Sequence, residues 1–235
     1  MRILHLYYDL MNLYGDYANL LALSKILKEN DIEHTIDKLS VFDEINLFEY
    51  DLVYIGSGTE KNQKTALAHL VKYKDEVCRY IEEGKFMLLT GNSFEMLGHS
   101  INSFLGEYEG LDVFPFTVTE QNTTRNTADC IMECEFTDKP IVGFINKCSE
   151  IHGICHHLFV SLMGLADNPD VKTEGIHYNN LYATHITGPI LVKNPHFLRA
   201  FASALAGKEL LTDSFEYEKR GFEITYEKLR KRNAK

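Results

Sequence analysis

Two rhythms of apolar and polar positions alternate along the N-terminal part of the chain. Residues 2–8, "RILHLYY", form an apolar run of strand length. Leu20, Leu21, Leu23, Ile26 and Leu27 then recur at helical spacing, with Asp16 placed as the N-cap. "HTIDKL" reads as a second short strand, and residues 51–56, "DLVYIG", as a third that runs into Gly-Ser-Gly. A helix is expected over 63–83, stopped by Gly84, before a fourth strand at "FMLLT". Regular β–α alternation of this kind predicts a parallel sheet with crossover helices.

The second half is less regular. The runs "DVFPFTVTEQ", "CIMECEF" and "PIVGFIN" have strand character and suggest a short antiparallel extension. "NLYATHITGPIL" predicts a late strand opening into a loop with Gly188 and Pro189. "NPHFLRAFASALAG" predicts a helix with Pro195 in its first turn and Gly207 behind it. The expected fold is therefore α/β: a doubly wound, mainly parallel sheet flanked by helices. Residues 1–207 form the domain and residues 208–235 a charged C-terminal extension that reads as a solvated helix.

Composition narrows the function classes. A net charge of -10 argues against a broad nucleic-acid surface, because phosphate contacts need clustered Lys and Arg. No apolar run approaches the ~20 residues of a membrane helix. The N-terminal apolar run is too short for a secretory signal, so the expected location is the cytoplasm. Five cysteines form no evident disulfide framework, and reduced thiols are expected.

In parallel α/β sheets, ligands bind at the carboxyl ends of the strands. Three turns fall there: "GSG" after the third strand, "GNS" after the fourth, and "ITGP" late in the chain. These turns and their flanks, "YYDLMNLYGDYANLLAL", "DLVYIGSGTEKNQ", "MLLTGNSFEMLG", "TRNT" and "EGIHYNNLYATHITGPILVKNP", occur in a definite order. The set resembles the class I glutamine amidotransferases of the cobyric-acid-synthase type. Within that family it is most similar to the glutaminase subunits of lipid II isoglutaminyl synthases. The resemblance spans nearly all of residues 1–206.

The resemblance implies a chemistry. A cysteine at the strand-to-helix elbow attacks the glutamine amide, and a histidine on the late strand serves it as base and acid. Backbone amides of glycine turns hold the oxyanion. Ammonia passes to a Mur-ligase-like partner that amidates a cell-wall precursor. Where the family elbow reads Cys-Gly-Gly-Tyr-Gln-x-Leu-Gly, this chain has "GNSFEMLG", so Gly91 stands at the cysteine position. Thr187 stands at the histidine position of Tyr-Leu-His-Gly-Pro. Arg125 matches an arginine associated with glutamine binding, and Gly56 and Gly58 match the oxyanion turn. Asn92 follows the elbow position, and Asn146 is retained where "GFINKCSE" replaces Gly-Phe-Glu-Asn-His-Gly-Gly-Arg. Glu95 and Glu150 replace a glutamine and an arginine, adding negative charge near the expected pocket.

Loss of nucleophile and base together predicts a subunit without glutaminase activity, since such groups act as one unit. It would serve as scaffold, regulator or ligand-binding partner of the Mur-ligase-like enzyme. Glutamine or a related amino acid is the candidate ligand, and no cofactor is expected. The alternatives are an active hydrolase using Ser93 or Cys148, or an amino-acid sensor that does not hydrolyse its ligand. Ser93 would need a base, for which His185, two residues before Thr187 on one strand face, is the candidate. Cys148, His152, Cys155 and His156 have ligand types for zinc, although their spacing follows no standard zinc pattern.

Overall fold

The computed structural model describes residues 1–122 and 124–233. The chain opens with β1 (Arg2–Leu6), α1 (Ala18–Glu29), β2 (Thr35–Leu39) and β3 (Leu52–Ile55). Next come α2 (Glu60–Leu70), α3 (Lys74–Glu82) and β4 (Phe86–Thr90). Eight short strands follow: β5 (Ser100–Ser103), β6 (Gly106–Glu109), β7 (Thr117–Glu120), β8 (Asn126–Glu133), β9 (Ile141–Lys147), β10 (Ser149–His152), β11 (Phe159–Met163) and β12 (Thr173–Glu174). The chain closes with β13 (Ile176–Tyr178), β14 (Leu181–Thr184), β15 (Ile186–Thr187), α4 (Ile190–Lys193), α5 (Pro195–Ala206) and α6 (Glu216–Asn233).

The central sheet has the order β13-β14-β4-β3-β1-β2, and every pairing is parallel except that of β13 with β14. Strands β3 and β14 are buried at every position, which is why they read as apolar runs rather than alternating ones. One face of the sheet is covered by α2 and α3, through Leu67, Leu70, Val77, Tyr80 and Ile81. The other is covered by α1 and α5, through Leu20, Leu23, Ile26, Leu27, Phe197 and Phe201. Burying such a side chain contributes about 1.5–3 kcal/mol each, so these two layers hold the domain together.

Three expectations need correction. The helix expected over 63–83 is two helices, α2 and α3, separated by a 3-10 turn at Val71–Tyr73. The antiparallel part is larger than a short extension. It comprises an antiparallel five-stranded sheet, β12-β11-β8-β9-β15, and a mixed four-stranded sheet, β10-β7-β5-β6, in which only β5 and β7 pair in parallel. Leu21, counted in the apolar stripe of α1, is 56% exposed. The end of α5 is as expected, with Pro195 in its first turn and Gly207 left-handed at φ 64°. The helix of the C-terminal extension lies on the β8–β9 hairpin, where Phe222 and Leu229 pack against Ile131 and Val142. Its charged face accounts for its polar sequence.

Because β14, β4, β3 and β1 are neighbours in the sheet, their carboxyl ends lie side by side. The turns that follow them meet at one edge.

Candidate functional site

The elbow after β4 is built around Gly91, whose φ is 65°. This left-handed conformation costs any residue with a Cβ about 1–2 kcal/mol, and glycine nothing. The sequence predicts a helix beyond the elbow, but the chain forms a seven-residue 3-10 stretch, Gly91–Leu97. A Cβ built on Gly91 would overlap Cβ and Oγ of Ser57, in the turn after β3. The space a nucleophile would use is therefore filled from the neighbouring strand end.

Thr187, which the resemblance places at the base position, is also engaged. Thr187 is buried, pairs in β15 with Phe144 of β9, and donates its hydroxyl to the Phe144 carbonyl at 3.1 Å. The glycine turn is used as well. The N–H of Gly58 donates to Asn92 Oδ1 at 3.0 Å, so an amide matching the oxyanion turn is paired within the protein. Gly56 lies behind, with Met11, Asp16 and Tyr54 so close that a Cβ would collide with the Met11 carbonyl oxygen.

Gly58, Asn92, Arg125 and Asn146 line one cavity of about 230 Å³, together with Ser57, Glu60, Glu95, Lys147, Cys148 and Ser149. Four of the five expected ligand-binding residues are thus brought together, while Gly56 is not among the lining. Arg125 is ion-paired with Glu60 and donates to Asn146 Oδ1 at 3.0 Å; Asn146 in turn donates to the Tyr14 hydroxyl at 2.9 Å. Arg125 and Glu60 also line a larger cleft of about 810 Å³ that reaches Phe104 and Tyr108.

The proposed substitute nucleophiles are placed differently from expectation. Ser93 is fully buried and donates to the carbonyls of Thr90 at 2.8 Å and Ile55 at 3.0 Å, tying the elbow to β3. It makes no bond to His185. Nε2 of His185 instead meets Glu95 Oε1 at 2.9 Å. Cys148 lies on the cavity wall, but burial and the adjacent Glu60 carboxylate push its thiol up to about 12. A thiol so strongly held in its protonated form is a poor nucleophile near neutrality.

The cysteine–histidine group is not assembled. Cys148 contacts Glu60, Cys155 is exposed beside the Gly153 carbonyl, His152 faces Glu150 at 3.7 Å, and His156 packs on the ring of Tyr178. Among the described residues the only group of three or more metal-ligand side chains is another one: Asp167, Glu174 and His185, all buried. Sequence reading missed Asp167, in the loop before β12, and Glu174, in the two-residue strand β12, neither of which has a recognisable spacing.

A buried polar cluster backs the cavity. Glu95 accepts from Ser149 Oγ at 2.5 Å, Gln63 Nε2 at 2.7 Å and His185. Burial alone would raise its carboxyl, but these bonds and the charge of His185 hold it below the usual range. Burial and then the charge of Glu174 push Asp167 up to about 7.

Asp16, expected to cap α1, does something else. Its Oδ2 accepts from Ser57 N at 2.8 Å and from Thr90 Oγ1 at 2.6 Å, and its Oδ1 accepts from Asn19 Nδ2 at 3.1 Å. One fully buried carboxylate so joins the loop after β1 to the ends of β3 and β4.

The chain as a whole is similar to known proteins. The chain is 35% identical to the lipid II isoglutaminyl synthase (glutamine-hydrolyzing) subunit GatD of Staphylococcus aureus, over 83% of this chain and 79% of that one. It is 28% identical to the subunit of the same name from Streptococcus pneumoniae, over 88% of this chain and 82% of the other. In fold it resembles a glutamine amidotransferase of Thermotoga maritima (TM-score 0.56, 14% identity, 98% and 95% covered). It also resembles the glutaminase domain of Trypanosoma brucei CTPS, solved with bound acivicin (TM-score 0.55, 12% identity, 90% and 96% covered). The family model of the CobB/CobQ-like glutamine amidotransferase domain matches residues 2–195. With that match over most of the chain and a relative 35% identical, this chain belongs to the CobB/CobQ-like glutamine amidotransferase domain family.

Proposed function

We propose that this chain is a glutaminase-like subunit of a lipid II-amidating complex that does not itself hydrolyse glutamine. It acts as scaffold or regulator of a Mur-ligase-like partner that draws on free ammonia. The likeness to the GatD subunits supports the biological setting. The observation that carries the loss of hydrolysis is the Ser57 side chain in the space beside Gly91. Without a nucleophile no acyl-enzyme forms, and with Thr187 bonded to a carbonyl there is no base to activate water instead.

A second reading, binding of glutamine or a related amino acid without turnover, is favoured by Arg125 and Asn146 on the wall of the small cavity. Arg125 would have to exchange Glu60 for the ligand carboxylate, which lowers the affinity such a site can reach.

The test is glutamate release from glutamine by the purified chain, alone and with its candidate Mur-ligase-like partner. No release in either case is expected. Release that survives repurification and disappears on Ser93→Ala or Cys148→Ala would overturn the reading. Calorimetric titration with glutamine, giving heat without glutamate, would favour the second reading over a pure scaffold.

A further inference from the structure

Behind the cavity, three carboxylates and one ammonium are buried close together. Glu95, Asp167 and Glu174 are at most 2% exposed, and Lys147 is 5% exposed. Lys147 donates to the carbonyls of Ala166 at 2.6 Å and Asp167 at 2.7 Å, not to a carboxylate. The three carboxylates face one ammonium and one imidazole. Isolated buried charge is costly, and proteins pair it or bind a metal.

Two atoms in this cluster are left without hydrogen-bond partners: Nδ1 of His185 and Oδ2 of Asp167. Both side chains are at most 2% exposed. Nδ1 of His185 points to Glu174 Oε1 at 3.6 Å, outside hydrogen-bond range. Ligand atoms of Asp167, Glu174 and His185 all lie within 4.8 Å of one another. Bonds of ~2.0–2.2 Å to a transition metal place ligand atoms up to about 4 Å apart, so a small contraction brings the set into range.

The second shell also fits. His185 makes its Nε2 contact with Glu95 Oε1 at 2.9 Å. A carboxylate on one ring nitrogen fixes the tautomer and leaves the other nitrogen's lone pair for a metal. Glu174 is held in place by the Thr184 hydroxyl at 2.6 Å and the His185 N–H at 2.7 Å, and Asp167 by Gly175 N–H at 3.1 Å. Each ligand is thus oriented by a bond that leaves a lone pair for a metal.

We propose that Asp167, Glu174 and His185 form a buried site for a divalent transition metal of the zinc class, which locks β12 and the end of β14 behind the degenerate elbow. One imidazole and two carboxylates suit zinc, manganese or iron(II) better than magnesium or calcium, which prefer all-oxygen shells. The site is structural: it lies behind the cavity wall formed by Glu95 and Lys147, and it is independent of whether glutamine is hydrolysed.

The test begins with protein carrying no histidine tag, stripped with chelator, dialysed against zinc and analysed for metal. About one ion per chain is expected, with a higher thermal midpoint in the loaded protein. Loading with cobalt(II) should give visible ligand-field bands without thiolate-to-cobalt charge transfer. Asp167→Asn should weaken zinc binding at least tenfold, and Glu95→Gln, which touches only the outer shell, roughly 10–100-fold. No stoichiometric metal and no thermal shift in the parent protein would overturn the site. So would a thiolate charge-transfer band, which would place the metal at the cysteines. The parent protein's cobalt spectrum decides the question even if a variant fails to fold.

Discussion

The side chain of Ser57 begins where a side chain on Gly91 would have to be. Two strand ends, after β3 and β4, have closed against each other where a working site keeps a nucleophile. Gly91→Cys therefore meets two penalties, a left-handed φ of 65° and overlap with Ser57. Together they should cost about 3 kcal/mol, read by chemical denaturation. Adding Ser57→Gly should recover part of this loss, and neither variant should release glutamate while Thr187 remains. A single variant as stable as the parent would show that the elbow is looser than described.

Asp16 carries a heavier structural load than a cap. Asp16→Asn turns one acceptor atom into a donor, and either orientation of the amide loses a bond. With Oδ1 facing Ser57 and Thr90, the new amide group faces Asn19 Nδ2; flipped, it faces Ser57 N. The expected loss is about 2–3 kcal/mol, from donors left unpaired in the interior. Urea unfolding of parent and variant measures it. A loss under about 0.5 kcal/mol, the size of an ordinary surface change, would argue that the carboxylate is not a tie.

His5 predicts a pH effect. Burial, and secondarily the charge of Lys38, lowers its imidazole to about 4 from 6.5. Below the unfolded value the unfolded chain binds a proton that the native chain refuses. Stability from this group is therefore whole above about 6.5 and falls as the pH drops toward 4, by up to about 3 kcal/mol. Nε2 of His5 has no partner, and its ring lies 5.3 Å from that of Tyr54, so phenylalanine is tolerated in the same space. Between pH 7 and pH 4, His5→Phe should lose less stability than the parent. Parallel acid limbs in the two proteins would contradict the assignment, because all other titrating groups are common to both.

Which parts of this molecule were legible follows from how each was buried. Strands β3 and β4 announce themselves because they are central strands and carry nearly unbroken apolar runs, and β1 does so through its three buried aliphatic positions. The break between α2 and α3 carries no glycine or proline. It is set by packing, where the Tyr73 ring meets His69 and its hydroxyl accepts from Ile45 N. The expectation of an altered elbow rests on the family resemblance, in which Gly91 and Thr187 stand among recognisable neighbours. The filling of the site by Ser57 was not, since it is a contact between two turns 34 positions apart in sequence. Asp167, Glu174 and His185 were hidden for the same reason: three short segments bring them together, and no local pattern marks them.

The positive φ at Gly91 also bears on how such a protein arises and persists. A nucleophile held in that backbone conformation stores strain, and glycine is the one replacement that releases it without moving the chain. On the proposed reading, loss of a reactive group at this position is a downhill step in stability. Once Ser57 fills the gap, a side chain at position 91 needs a coordinated change at position 57, and the base must be restored as well. On the reading proposed above, the elbow behaves as a ratchet: it turns easily toward a silent subunit and packing holds it there.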